Sequence, residues 1–155
     1  MSAAAARTTT PYWYAGHLFE FLLEPEDTGG SMAILRITCR PGLNPPAHVH
    51  HNEDEVFHVL EGQAAFLVGD RVVEAGPGET VWLPRGVPHA PRFDSEIVRC
   101  LVVFTPGDNV KLFREFSVPA DDHVLPPLGE HLPDFEALGR RMAELGIPIV
   151  GPPLA

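Results

Sequence analysis

Histidines and carboxylates crowd into one short stretch of the chain, residues 42–62. The stretch reads GLNPPAHVHHNEDEVFHVLEG and holds four of the eight histidines together with four acidic residues. Imidazole nitrogens and carboxylate oxygens are ligands that divalent transition metals favour. The stretch therefore indicates a metal site, with polar side chains that satisfy one another without a metal as the alternative.

The spacing within this stretch predicts which side chains converge. If AHVHH is extended, His48 and His50 point to one side of the chain and His51 to the other, because alternate side chains share a face of a strand. Glu55 then begins an otherwise apolar inward face of the next strand, where a buried carboxylate needs a partner. A metal ion held by the two histidines would be such a partner. Glu53 has the same parity as Glu55, so the pattern alone leaves either as the acidic ligand.

A further histidine, His89, lies about thirty residues downstream in GETVWLPRGVPHAP. It joins the cluster if the sheet rolls up so that the two segments run side by side. Three imidazoles and one carboxylate suit Fe, Mn, Ni, Co, Cu or Zn, and a six-coordinate shell would then keep two positions open. We therefore expect one divalent transition metal ion with room for a substrate.

Short β-like segments must position these residues. Seventeen prolines and fourteen glycines divide the chain into short alternating or apolar runs, which is typical of a compact all-β domain. Gly69 and Asp70 predict a two-residue hairpin turn. Pro84, Pro88 and Pro91 argue against a long central strand after residue 80, because proline has no ladder donor. The predicted strands cover residues 17–23, 32–39, 55–60, 63–68, 71–74, 80–83 and 96–104.

The last third of the chain differs from the rest. Its prolines argue against regular structure after residue 104, and we expect Phe113 and Phe116 to hold this segment against the β body. The run PDFEALGRRMAELG then predicts a helix over about 133–145, ended by Gly146. The apolar stripe of this helix should pack against the β body, with a partner helix or a pocket lid as alternatives. That stripe consists of Phe135, Leu138, Met142 and Leu145.

Both histidine-containing motifs resemble those of the cupin superfamily. The spacing Gly42-x5-His48-x-His50-x4-Glu55-x6-Gly62 is similar to the first cupin motif, and Gly78-x5-Pro84-x-Gly86-x2-His89 to the second. The resemblance implies a small antiparallel β-barrel, or jelly roll, over residues 12–120, between a flexible segment 1–11 and a C-terminal extension 121–155. It also implies four metal ligands, and these are His48, His50, Glu55 and His89. The family spacing favours Glu55 over Glu53 as the acidic ligand. Phe93 departs from the family, which often has asparagine there.

The phrase PPAHVHHNEDEVFHVLEG is also similar to the quercetin dioxygenase-like branch of cupins. This resemblance implies oxygen-dependent cleavage of a small enol/keto or flavonol-like substrate, with Glu55 taking the enol proton. Two other classes stay open, because a fold alone does not choose a function. One is a non-redox metal-dependent isomerase, decarboxylase or cyclase in a biosynthetic pathway. The other is a non-catalytic ligand-binding cupin.

Inward parity and closeness to the barrel mouth also suggest a substrate pocket. Ordinary core packing is the alternative for each wall candidate, and these are Phe57, Val59, Phe66, Trp82 and Phe93. His51 and His58 face the other way, so we expect them at the surface or in a dimer contact. The apolar run PYWYAGHLFEFLL is the candidate contact of a homodimer.

Composition excludes several partners. The net charge of −10 comes from 21 acidic against 11 basic residues, and the bases are scattered. Such a surface repels phosphate, so we expect neither a nucleic acid nor a membrane partner. Cys39 and Cys100 lie in apolar runs and are expected as buried free thiols. Because the N-terminal sequence does not resemble a secretory leader and no long apolar run is present, we expect a cytoplasmic protein.

Overall fold

The computed structural model describes residues 6–155, in which twelve strands form most of the regular structure. Of the predicted flexible segment 1–11, residues 1–5 lie outside the described residues, and Pro11 already belongs to the first strand. The strands are β1 (Pro11–Tyr14), β2 (His17–Leu23), β3 (Ala33–Cys39), β4 (Ala47–His48), β5 (Asp54–Glu61), β6 (Ala64–Val68), β7 (Arg71–Ala75), β8 (Thr80–Leu83), β9 (His89–Phe93), β10 (Val98–Thr105), β11 (Val118–Pro119) and β12 (Ile149–Gly151).

The strands pair into two antiparallel sheets. The larger has seven strands in the order β11-β1-β2-β3-β10-β5-β8, and the smaller has five in the order β12-β4-β9-β6-β7. Between them lies a single large core, to which Phe66 and Phe104 contribute fully buried rings. This is the predicted all-β jelly roll, and the predicted C-terminal helix is present between the last two strands. The helices are α1 (Pro25–Thr28), α2 (Lys111–Phe116) and α3 (Phe135–Glu144).

The seven predicted strands are all present, with bounds within two residues of those predicted. The predicted hairpin is present too, since Val68 pairs with Arg71 and Gly69 has a φ of 62°. Strand β9 was not predicted, because the prolines argued against a strand there. It contains Pro91 and pairs with β6. On its other side β9 pairs with β4 only at His89, so Pro91 lies where that ladder has ended and no donor is needed.

The expectation of no regular structure after residue 104 was wrong. A 3-10 turn at Asp108–Val110 leads directly into α2. The six residues of α2, KLFREF, contain no proline, so the prolines on either side bound a helix there and do not prevent one. Phe113 packs against the main core as predicted, with its ring 5.2 Å from that of Phe19.

Helix α3 packs against α2 through a second, smaller apolar cluster. Asp134 caps the helix by accepting a hydrogen bond from Ala137 N at 3.1 Å. Leu138 and Met142 of the predicted stripe are buried there with Leu112 and Ile147. Phe135 is 55% exposed, so the stripe does not extend to the first turn. No helix within residues 6–155 combines the length and the apolar character that crossing a membrane requires.

The N-terminal apolar run proposed as a dimer contact is used within the chain. Trp13, Leu18 and Phe19 are buried in β1 and β2, and β11 pairs with β1 and covers its edge. The homodimer therefore stays a prediction without this surface to support it. Cys39 and Cys100 are buried free thiols, as predicted.

Candidate metal centre

Two neighbouring strands bring together predicted ligand residues from the two histidine-containing motifs. His48 of β4 pairs directly with His89 of β9, although forty-one positions separate them in the sequence. His50 lies just beyond β4, and its ring stacks on that of His89 with the centroids 5.2 Å apart. Glu55 approaches from the other sheet, where β5 pairs with β8 and β10. One ligand atom from each of these four residues lies within 4.8 Å of the other three.

Strand parity aims Glu55 into this cluster. Along β5 the buried positions alternate with more exposed ones, and Glu55, Phe57 and Val59 form the buried set. His58, on the opposite parity, hydrogen bonds with Thr80 Oγ1 at 2.8 Å, outside the cluster. His51 is exposed. The two histidines assigned to the outer face are therefore away from the site.

Each of two histidines is oriented by a hydrogen bond at its Nδ1 atom. His48 Nδ1 lies 2.8 Å from the carbonyl oxygen of Pro46, and His50 Nδ1 lies 2.6 Å from Glu53 Oε1. Such contacts fix the tautomer and leave Nε2 as the acceptor for a metal. Glu53 therefore contacts the Nδ1 atom of His50, whereas Glu55 is the carboxylate that completes the cluster.

Three polar atoms of the cluster, Glu55 Oε2, His89 Nδ1 and His89 Nε2, are buried without a hydrogen-bond partner in residues 6–155. Glu55 Oε2 lies 3.2 Å from His50 Nε2 and 3.1 Å from His89 Nε2. Despite this closeness, Glu55 Oε2 and His89 Nε2 form no hydrogen bond with any residue from 6 to 155. A buried polar atom without a partner is costly. A cation shared by these atoms would remove that cost, so the donor set fits a metal ion.

Burial and neighbouring charge set the protonation of these residues. Burial lowers the pKa of His48 to about 4, helped by the two nearby rings, so this imidazole is neutral. Burial alone would lower the pKa of His50, but Glu53 and Glu55 raise it to about 9. Burial would raise the pKa of Glu55, yet His50 and His89 hold it well below the usual range. The site thus favours a positive charge next to an ionised carboxylate.

The cluster lies in the wall of a cavity of about 370 Å³. Apolar side chains from the β core form most of the lining, including Phe19, Phe57, Phe93 and Phe104. A volume of this size, apolar with a few polar groups in one place, is typical of a site for a small organic ligand.

A family model describes the core of this architecture. The model called Cupin domain matches residues 35–104, which include all four residues of the cluster. Residues 35–104 therefore form a cupin domain. The match begins in β3 and ends in β10, so it covers the strands that carry the cluster and stops before the C-terminal extension.

Two curated relatives and one solved structure support this assignment. Quercetin 2,3-dioxygenase of Bacillus subtilis is 25% identical over 109 residues, covering 70% of this cupin and 32% of the relative. An uncharacterised protein of Streptomyces coelicolor is 41% identical over 59 residues, covering 38% of this cupin and 56% of the relative. The polyketide cyclase RemF of Streptomyces resistomycificus superimposes with a TM-score of 0.55 at 26% identity, covering 68% of this cupin and 80% of that chain. This chain thus spans about a third of the first of these two curated relatives and just over half of the second.

Two of the five predicted wall residues line the cavity, namely Phe57 and Phe93. Val59 and Phe66 are buried in the core of the cupin fold and are not among the lining residues. Trp82 is 63% exposed, so its placement in the wall was wrong. The inward residues of β8 are Val81 and Leu83, and the alternation of the strand turns Trp82 outward.

Sequence reasoning missed the part of the wall that comes from outside the two motifs. Tyr14 and His17 line the cavity from the N-terminal strands. The C-terminal extension contributes Phe135, Leu138, Gly139, Met142, Ile147 and Ile149. The apolar stripe of α3 was the available sequence signal for these residues, and a pocket lid was one of the roles proposed for it. In this cupin the stripe both packs on α2 and borders the cavity.

Proposed function

We propose that this cupin is a metal-dependent enzyme that acts on a small, mostly apolar organic molecule carrying adjacent enol and keto oxygens. The reaction we favour is dioxygenation of a flavonol-like substrate. One observation carries the proposal: a buried cluster of three imidazoles and one carboxylate opens onto an apolar cavity of about 370 Å³. The sequence similarity to a quercetin 2,3-dioxygenase supports the choice of substrate class.

The four residues of the cluster would hold the ion through His48 Nε2, His50 Nε2, His89 Nε2 and a Glu55 oxygen. Bound there, a divalent transition metal would supply Lewis-acid polarisation of the substrate oxygens. Glu55 Oε2 has no hydrogen bond within the described chain, so it is the atom available to take the enol proton of the substrate. We therefore assign Glu55 two roles, ligand and base.

The rest of the cavity would bind and shield the substrate. Phe57 and Phe93 line the cavity with apolar surface and would contact a flat aromatic molecule. Apolar walls also keep water away from the reacting atoms, which strengthens the electrostatic interactions there. The lining favours an uncharged aromatic compound over a free sugar.

A second candidate is a non-redox cyclase. It is favoured by the likeness to the polyketide cyclase RemF, because this cupin covers 80% of that chain. The same ligand set would then polarise a carbonyl group without consuming oxygen. The two candidates share the metal and differ in the fate of dioxygen. In both cases we expect a cytoplasmic protein whose partner is a small molecule.

Oxygen uptake and metal content distinguish these possibilities. The protein is purified from cells supplied with Fe, Mn, Ni, Co, Cu or Zn, and bound metal is measured by mass spectrometry. Each form is then mixed with quercetin in an oxygen electrode, with the metal-free protein as control. We expect near-stoichiometric metal and loss of one dioxygen per quercetin consumed. Conversion of a polyketide without oxygen uptake would favour the cyclase, and absence of bound metal in every preparation would refute both.

A further inference from the structure

Most polar side chains that border the cavity outside the metal cluster already have partners. His17 Nε2 lies 2.9 Å from the carbonyl oxygen of Leu43, and His17 Nδ1 accepts a hydrogen bond from Arg40 N at 3.3 Å. Asn44 Oδ1 accepts a hydrogen bond from Phe93 N at 3.0 Å. These contacts hold the wall together and occupy both ring nitrogens of His17 and the side-chain oxygen of Asn44.

Tyr14 differs from these residues. It ends β1 and lines the cavity where the main core meets the cluster around α3. Its ring centroid lies 4.8 Å from that of Phe19 and 5.0 Å from that of Phe113, so packing fixes the ring. Burial raises the pKa of its phenol well above the usual range, and no hydrogen bond to a residue within 6–155 offsets this. The hydroxyl group is therefore a neutral donor without a protein partner.

Tyr14 as a whole is only partly buried, and its ring packs at the margin of both apolar clusters. Because Tyr14 lines the cavity, a ligand that fills the cavity would cover this hydroxyl group, and a covered donor without an acceptor is costly. Such a ligand must therefore offer an acceptor to Tyr14. The metal cluster is carried by other strands, β4, β5 and β9. An occupant bound at both places would have two oxygen-bearing ends joined by an apolar body.

We propose that Tyr14 is a substrate-binding residue whose hydroxyl group hydrogen bonds with an oxygen atom on the part of the substrate remote from the metal. This assignment rests on the proposed function for the position of the reacting end. It narrows the substrate class to aromatic compounds that carry a second hydroxyl or carbonyl group. Tyr14 thereby selects among apolar molecules that the rest of the wall does not tell apart.

Anaerobic binding titrations with two flavonols test the proposal on the metal-loaded protein. Kaempferol carries a hydroxyl group on its pendant ring, and galangin is the same molecule without it. We expect Tyr14→Phe to weaken kaempferol binding about fivefold, the effect of one neutral hydrogen bond, and to leave galangin binding and metal content unchanged. Tyr12→Phe is the matched control, because Tyr12 precedes Tyr14 by two residues and lies against Arg114, not among the lining residues of the cavity.

A second probe pair separates this proposal from the proposed function. 2-Naphthol and naphthalene need only the cavity, so they are titrated into the metal-free protein. If the wild type binds neither flavonol, the proposed substrate class fails, and the naphthol pair still tests Tyr14. A preference for 2-naphthol that disappears in Tyr14→Phe supports the proposal. No such preference in the wild type, or equal weakening of both members of either pair, would overturn it.

Discussion

The two ends of the cavity are built in different ways. At the metal end, polar side chains come from β4, β5 and β9, and His48 and His50 are each held by a hydrogen bond. The wall on the side of α3, called the far wall below, comes from α3 and Ile147, and it presents apolar side chains and one glycine. Ile149 also lines the cavity, but it pairs with His48 at the metal end. Strand register thus fixes the residues that can do chemistry, whereas an added helix shapes the space for the substrate. Changes at one end should spare the other.

The two ends are joined through the backbone. β12 pairs with β4, so the C-terminal extension lies beside the strand that carries His48. Ala47 N donates to the carbonyl oxygen of Pro152 at 3.1 Å, and Val49 N donates to that of Pro148 at 3.2 Å. His51 N donates to the carbonyl oxygen of Gly146 at 3.0 Å. The extension therefore both borders the cavity and supports the ligand strand, so side-chain changes separate the two roles better than truncation does.

The largest effect is expected from His89→Ala. It removes the donor that comes from the second motif and leaves the carboxylate of Glu55 buried beside an empty space, so we expect loss of stoichiometric metal. Metal content after dialysis, measured by mass spectrometry, checks this. His58→Ala serves as the control, because His58 is bonded to Thr80 on the outer face and should leave metal content unchanged. Retention of a full equivalent of metal by His89→Ala would remove His89 from the ligand set.

A smaller effect at the same end is expected from Glu53→Ala. Its carboxylate accepts the hydrogen bond that orients His50, and loss of such a contact weakens metal affinity about 10–100-fold. Competition with a chromophoric chelator measures the affinity. Glu61→Ala is a suitable control, because Glu61 pairs with Arg99 at the exposed end of β5. Equal metal affinity in Glu53→Ala and the wild type would mean that packing alone orients His50.

The metal end could be predicted from the sequence because its information is local and periodic. Spacing within AHVHHNEDE and alternation along β5 select the residues that face inward. Pairing of β4 with β9 requires only that the sheet close, which the second motif implied. Parity could not separate Glu53 from Glu55, since both are buried, and the difference lies in the turn after β4 that places Glu53 behind His50.

The far wall could not be predicted in the same way. A helical stripe shows that one face is apolar but not what that face covers, and here Leu138 borders both the α2 cluster and the cavity. Nothing in the sequence marked Tyr14 as a cavity residue, because it lies in the apolar run that was proposed as a dimer contact. Trp82 shows that side-chain size can mislead. It was assigned to the cavity wall as a large apolar residue, but the alternation of β8 turns it outward.

At the far wall, Gly139→Leu should reduce ligand binding without affecting the metal. Gly139 lines the cavity, so a leucine there fills space that the substrate would use. We expect kaempferol affinity to fall about tenfold, the effect of losing one well-packed apolar contact region, with metal content unchanged. Ala143→Leu places the same side chain on the exposed face of α3 and is the matched control. Equal affinity in the two variants would show that ligands do not reach α3.

The smallest effect, Gly139→Ala, tests whether the far wall tolerates change independently of the metal end. Gly139 lies inside α3 with a helical backbone, where glycine is about 0.8–1.0 kcal/mol less favourable than alanine. A Cβ atom there would lie 3.6 Å from Ile149 Cδ1, which is an ordinary van der Waals contact. We therefore expect the melting temperature to rise by about 2–4 °C, measured by calorimetry, with metal content unchanged. A lower melting temperature would mean that α3 and β12 are packed too tightly to accept one methyl group. A changed metal content would mean that the strain passes through β12 to β4, so that the two ends of the cavity do not act independently.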